Sequence, residues 1–354
     1  MSRLRESPIT GGKFKKYAIR NGTRIICDDA FRNCKMMEEI YIPSSVNFIG
    51  EEAFSGCTKL SNIKLPNSIT YIGNGAFDCY EGNIILPESL EILNGNPFCP
   101  GCKISSLSNK YVVVDDVVFT ADMHKLVSYC KKGSQVYSIP KGVITVGSHA
   151  FRSSELHNIV FPDTIEIIEA EAFMNNDYHY IKLPSSLKKI SRSAFSSSNV
   201  GCLEFMSKVE FTEDSLKHLT FEPDYNIIKV PSLYLDYYKN SIYSDVIYIT
   251  DEDIVFEGGW ILNHDKSELL SSYEYKVSDY YVIPDGVVKI GSKALYNIPI
   301  YKGKIRFPKS IKWIMDDALL EDSDLELSVP KGTLDWYVST LPAFKENFIE
   351  EDDL

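Results

Sequence analysis

Short apolar stretches return along this chain at near-constant spacing, each with the same internal order. In the stretch from Ile49 to Pro66 the order is an apolar residue and glycine, two acids, Ala53-Phe54, a small turn ending in Cys57, and then Leu60, Ile63 and Leu65 before the proline. The Ala-Phe pair recurs at Ala30-Phe31, Ala76-Phe77, Ala150-Phe151, Ala172-Phe173 and Ala194-Phe195, with Ala294-Leu295 and Ala318-Leu319 as variants. Consecutive members of a group stand 22 to 24 residues apart. Segments such as Ile40-Tyr41-Ile42-Pro43, Ile63-Lys64-Leu65-Pro66 and Ile84-Ile85-Leu86-Pro87 alternate over a few residues, which predicts short strands. Proline suits the end of a strand, where its missing N–H costs no ladder bond.

A period in the twenties with Leu-x-x-Leu-x-Leu spacing defines a leucine-rich repeat. The fold class expected is therefore a β-rich leucine-rich-repeat solenoid of parallel strands, with turns of 22 to 24 residues. Three residues after the last apolar strand position stands a hydroxyl, at Ser45, Ser68, Ser89, Thr164, Ser186 and Ser310, or a glycine, at Gly142 and Gly286. Such a hydroxyl can bond adjacent backbone as the chain leaves the sheet, and glycine there supplies an unusual φ. The phenylalanine rings are expected to stack from turn to turn in the core.

The period breaks after Phe98. Between Tyr111 and Tyr129 short apolar runs flank Asp115-Asp116 and Ala121-Asp122, which predicts a β-hairpin insertion. The segments Leu203-Glu204-Phe205, Leu219-Thr220-Phe221 and Ile228-Lys229-Val230 read as further strands, and the stretch Val230-Pro231 to Tyr238 as a short helix. Both features have twins: Ile261 to Leu269 matches the hairpin, and Val329-Pro330 to Tyr337 matches the helix. Solenoids need caps over their end turns, so the helices are expected to be caps. The domains expected are an N-terminal arm and array over 1–105, then two units of hairpin, repeats and cap over 106–250 and 251–354. Residues 1–12 are expected to be a loose arm and Glu350 to Asp353 a frayed acidic tail.

These motifs closely resemble the BspA-like leucine-rich repeat family: the strand-Pro ending, the Ile-Gly before the turn, the Ala-Phe-x-x-Cys from Ala53 to Cys57, the hairpins and the Val-Pro-led helices. The likeness runs from Phe14 to near the end of the chain. It implies surface-exposed proteins engaged in adhesion and protein–protein contact, with no enzymatic activity or cofactor. Members of that family are commonly exported, whereas residues 1–20 here lack the apolar core of a signal peptide. The sequence by itself thus points to the cytoplasm and the resemblance to the cell surface.

Charge narrows the partners. A formal net charge of −12 argues against nucleic acid, since phosphate neutralisation needs clustered Lys and Arg and the one basic run, Arg3 to Arg24, is short. No apolar run is long enough to span a bilayer as a helix. Cys99-Pro100-Gly101-Cys102 is a C-x-x-C, but it falls where other turns carry Phe-x-x-Cys, so a repeat position competes with a thiol–disulfide exchange site. The six histidines are scattered without a metal-ligand rhythm, and the Asp-Asp pairs supply no calcium loop, so no metal or cofactor is expected.

Alternation leaves one candidate binding surface. If Ile63 and Leu65 face inward, Asn62 and Lys64 face outward. Stacked turns then align Tyr41, Lys64, Ile85, Val160, Lys182, Glu204, Thr220 and Lys229, flanked by Asn62, Asn158, Tyr180 and His218. Outward positions vary while inward ones stay apolar, and exposed aromatic and aliphatic groups on one face make recognition anchors. The function expected is a non-enzymatic module binding a protein or glycan through this stripe. The alternatives are exchange chemistry at Cys99 and Cys102, or a structural spacer.

Overall fold

The structure, a computed structural model of the chain, describes residues 3–4, 14–61, 63–212, 214–216, 227–241, 247–250, 253–272, 280–295, 298, 303–319 and 325–351. It is a β-rich leucine-rich-repeat solenoid with little helix. Three kinds of ladder link successive turns among the described residues. The pre-proline segments build the first, a parallel ladder in separate short pieces: Glu39–Tyr41 on Lys16–Ala18, Asn83–Leu86 beside Lys103–Ser106, and Asn158–Val160 beside Val136–Ser138. A second ladder joins two-residue strands in register: Ile25–Ile26, Phe48–Ile49, Tyr71–Ile72 and Ile92–Leu93.

The Ala-Phe turn supplies the third. The residue before alanine takes positive φ at Asp29, Glu52, His149, Glu171, Ser193 and Lys293. That geometry is unfavourable for residues with a Cβ, but it turns backbone N–H groups toward the next turn. Phe31 N–H donates to the Ala53 carbonyl at 2.8 Å, Phe54 to Ala76 at 2.8 Å and Phe173 to Ala194 at 2.8 Å. The rings follow the backbone. Phe31 and Phe54 stack at 5.3 Å and 2°, Phe54 and Phe77 at 5.6 Å and 4°, and Phe173 and Phe195 at 5.0 Å and 12°.

Close approach of turns explains the Ile-Gly step. A Cβ on Gly73 would lie 2.6 Å from Glu51 N and 2.7 Å from the Gly50 carbonyl carbon, both backbone atoms of the preceding turn. At the turn leaving the sheet, Gly142 has a φ of +100°, so there the requirement is conformational. The hydroxyls at this place reach a different target from the adjacent backbone expected of them. Ser89 Oγ donates to the Ile69 carbonyl at 2.7 Å, Thr164 Oγ1 to Val143 at 2.7 Å and Ser186 Oγ to Ile165 at 2.6 Å, each in the turn before. They therefore lock turn to turn.

The chain divides into two compact units, Met1–Val200 with Phe205–Asp224, and Gly201–Glu204 with Tyr225–Leu354. The first contains the insertion Tyr111–Val114, Val117–Thr120 and Lys125–Tyr129, an antiparallel meander whose last strand pairs parallel with Thr145–Val146. The insertion is thus part of the short-strand ladder. Asn96, 1% exposed, spans the break in period: its Nδ2 donates to the His149 carbonyl at 3.1 Å and its Oδ1 accepts from Ser128 Oγ.

The second unit repeats the device with Ile254–Glu257, Trp260–Asn263 and Glu268–Ser272, the last joined to Lys289–Ile290. Its helices are α1 (Leu235–Ser241) and α2 (Leu334–Thr340). After each the chain returns to the same sheet: Ile247–Thr250 pairs parallel with Ile227–Val230, and Phe348–Glu351 with Glu326–Pro330. Each helix thus lies between two strands that pair in parallel.

Both chain ends differ from expectation. Arg3–Leu4 is an edge strand on Ile25–Ile26, while the rest of the arm up to residue 13 lies outside the described residues. Glu350 and Glu351 are not frayed. Glu350 accepts from Gly332 N–H at 2.8 Å, and Glu351 accepts from Ser328 Oγ at 2.7 Å and pairs with Lys304.

Candidate functional site

The outer face of the pre-proline ladder is built by alternation. Ile40 and Ile42 turn into the core at 8% and 5% exposure, and between them Tyr41 is 61% exposed. Lys64 is exposed between buried Ile63 and half-buried Leu65. Tyr41 and Lys64 come together in a cleft of about 620 Å³ that also includes Lys16, Glu39 and Pro66. Lys16 and Glu39 close an ion pair at 2.9 Å along its wall. Lys64 has no ion pair or hydrogen bond with any described residue. The cleft thus joins an exposed phenol ring, an aliphatic floor and an uncommitted ammonium. Such a set can stack on a sugar or side chain while binding an acceptor group.

The segment holding Lys64 is extended but does not pair as a strand, contrary to the alternation. Ile63 N–H instead donates to the Tyr80 hydroxyl at 3.2 Å, and that hydroxyl donates to the Asn83 carbonyl at 3.3 Å. Tyr80 stands three residues after Phe77, the place of Cys34 and Cys57 in earlier turns. Its longer side chain wedges between turns and substitutes for a ladder bond.

Elsewhere the stripe is only partly as expected. Ile85 is 54% exposed, Val160 is 49% exposed, Lys182 is exposed and Asn158 is half-buried. Tyr180 is 8% exposed and Glu204 is 4% exposed, so neither presents itself to solvent. Their strands, Asp177–Lys182 and Asn199–Glu204, are the longest described, and outward direction there does not prevent enclosure by neighbouring side chains. Glu204 sits opposite Lys229 in register and pairs with it at 3.0 Å, so two outward charges are committed to one another. Asn62, Thr220 and His218, with the strand expected at Leu219-Thr220-Phe221, lie outside the described residues.

A second row, half-buried except for exposed Ile92, escaped the alternation argument. On the outer side of the short-strand ladder, Ile25, Phe48, Tyr71 and Ile92 fall in one register row, and Phe48 and Tyr71 stack at 4.2 Å and 4°. The signal was visible as an apolar residue just before each inward Ile or Leu. Two-residue strands are too short for alternation to reveal it.

The C-x-x-C pair lies in the core. Cys99 and Cys102 are 8% and 0% exposed, and their thiols point to the Tyr80 and Gly82 carbonyls at 3.5 and 3.6 Å. Burial pushes the Cys99 thiol up to about 12, and the Cys102 thiol upward as well. Exchange requires an accessible thiolate, and this environment disfavours it. Cys57 shows the ordinary role of the position, donating to the Phe31 carbonyl of the previous turn at 3.0 Å. In later turns Ser198 does the same to Phe173 at 2.7 Å, and Asn176 to Phe151 at 2.7 Å. Among the described residues no group of three or more His, Cys, Asp or Glu is arranged to hold a metal ion. No helix among them is long and apolar enough to cross a membrane.

The period, the strand-proline step and the Ala-Phe ladder define a leucine-rich repeat protein. A family model described as the BspA type leucine rich repeat region, in six copies, matches residues 10–121 and 125–235. The chain belongs to that family, whose repeats are generally binding modules rather than catalysts. The fold is similar to that of the pneumococcal vaccine antigen PcpA, at 17% identity and a TM-score of 0.50, over 96% of this chain and 78% of that one. A leucine-rich repeat protein from Bacteroides ovatus aligns at 20% identity and a TM-score of 0.39, over 96% of this chain and 84% of its own. A leucine-rich cell surface protein from Faecalibacterium prausnitzii aligns at 18% identity and a TM-score of 0.41, over 92% and 76%. No curated protein matches the chain.

Proposed function

We propose that this protein is a non-enzymatic recognition module that binds a protein or glycan ligand through the outer face of its pre-proline ladder. The observation that carries the reading is the cleft in which Tyr41 is 61% exposed beside Lys64. A tyrosine so exposed, over an otherwise apolar repeat, offers contact area at little conformational cost, and the ammonium adds a directional polar contact. Ile85, Val160 and Lys182 extend the face along the same unit.

The test is a comparison on printed glycan and peptide arrays between the native chain and the double variant Tyr41→Ala with Lys64→Glu. Both side chains face solvent, so circular dichroism should be unchanged. Retained signals should fall by roughly tenfold or more, the scale of losing a hot-spot residue. A folded double variant with the native array pattern would remove the cleft from the binding site.

A further inference from the structure

We infer that the second unit carries its own subsite, a cleft in which Arg306 anchors the terminal carboxylate of a peptide ligand. This subsite is independent of the Tyr41 cleft. The two arise from the same step of the repeat: Arg306-Phe307-Pro308 is equivalent to Tyr41-Ile42-Pro43, so Arg306 occupies the outward position two residues before the proline. Val282, Arg306 and Ser328 align in register on neighbouring strands and line a cleft of about 340 Å³, closed by Pro308, Pro330 and Glu351. That volume is within the range of small-ligand sites.

The charges in the cleft are unequally committed. Lys304, on the same strand face as Arg306, pairs with Glu326 at 2.9 Å and with Glu351. Glu351 also accepts from Ser328 Oγ at 2.7 Å. Lys304 first, then the Ser328 hydroxyl, holds the Glu351 carboxyl below its usual range, with the Arg306 charge adding to the effect. Glu351, the lining acid beside Ser328, is therefore occupied by the lysine, and Asp285 and Lys309 complete the charged groups of the lining. Arg306 is half-buried, and its guanidinium makes no hydrogen bond or ion pair with any described residue. A planar guanidinium offers a fork of donors matched to a carboxylate, and partial burial strengthens that bond relative to bulk water.

The walls choose between carboxylate ligands. Val282 is 51% exposed beside the guanidinium, and Pro308 and Pro330 line the cleft with rings that carry no N–H. An apolar contact next to the anion suits a chain-terminal residue with an aliphatic side chain. It suits a uronic acid less well, since the sugar surrounds its carboxylate with hydroxyls that need partners.

The experiment titrates the full chain with acetyl-Gly-Gly-Val as free acid, followed by saturation-transfer NMR on the peptide methyl groups. Parallel titrations use the C-terminal amide and D-glucuronate. The free acid should bind, while the amide, and the free acid on Arg306→Gln, should bind at least ~tenfold more weakly, as for loss of a charge-assisted hydrogen bond. Arg306→Lys should fall between, keeping charge without the fork. Tyr41→Ala with Lys64→Glu should leave this titration unchanged, which separates the subsite from the first cleft. The inference is overturned by acid and amide binding alike, by native affinity in a folded Arg306→Gln, or by no binding of the acid. Tighter binding of glucuronate than of the peptide would equally reject the peptide and assign the cleft to acidic sugars.

Discussion

At the scale of the residue, one position shows how the same geometric demand is met by different chemistry. Three residues after the core phenylalanine, the chain places Cys34, Cys57, Tyr80, Ser154, Asn176 and Ser198. Most are buried donors aimed at main-chain carbonyls that a turn would otherwise leave unsatisfied, and buried polar groups without partners are costly. Cysteine is the mildest solution, a small apolar group with a weak donor. Six of the eight cysteines are buried and all are free thiols. The expected behaviour follows from burial: Cys79 is exposed and should alkylate with iodoacetamide within minutes, whereas Cys99 should resist in the folded protein. Because burial pushes the Cys99 thiol up to about 12, its labelling rate should still climb steeply between pH 9 and 11, where an ordinary thiol is levelling off. Mass-resolved labelling checks this, and fast modification of Cys99 at neutral pH would revive the exchange reading.

At the scale of the element, the strands, hairpins and Ala-Phe turns were legible because each repeats a local pattern whose physics is complete within one turn. What spans turns was not legible. Nothing in Ser89 or Ser186 alone says that its hydroxyl reaches back to the previous turn rather than to its own. Likewise Tyr80 reads as an ordinary aromatic until its hydroxyl is found in place of a ladder bond below Lys64. Alternation also gives the direction of a side chain and not its cover, which is why Tyr180 and Glu204 left the binding stripe. The Ile-Gly step is a pure inter-turn constraint and gives a sharp expectation. Gly73→Ala places a methyl 2.6 Å from backbone that cannot move without shifting a turn. It should cost about 1–3 kcal/mol, as overpacking does, measured by the denaturant midpoint at unchanged m-value. A neutral effect would mean that adjacent turns slide more freely than the ladder implies.

At the scale of the molecule, stability is a sum over neighbouring turns. In the first unit the aromatic column is nearly continuous: Phe77 and Phe98 stack at 6.1 Å and 7°, and across the insertion Tyr129 takes the column's place against Phe151 at 5.2 Å. The insertion thus interrupts the sequence period, and Asn96 hydrogen-bonds across the break to the His149 carbonyl. The helices act likewise, each returning the chain to its sheet. Damage to the column should accordingly be local in origin and graded in reach. Phe54, fully buried between Phe31 and Phe77, should cost roughly 3–5 kcal/mol when replaced by alanine. Hydrogen exchange should report the greatest loss of protection at Phe31 and Phe54 N–H, whose acceptors are Ala53 and Ala76. Smaller losses should appear one turn further, and little change in the second unit's strands around Ile305 and Leu327. Uniform loss across both units would show a single cooperative block in place of a nearest-neighbour array. A midpoint that barely moved would show that the phenylalanine column does not hold the turns together.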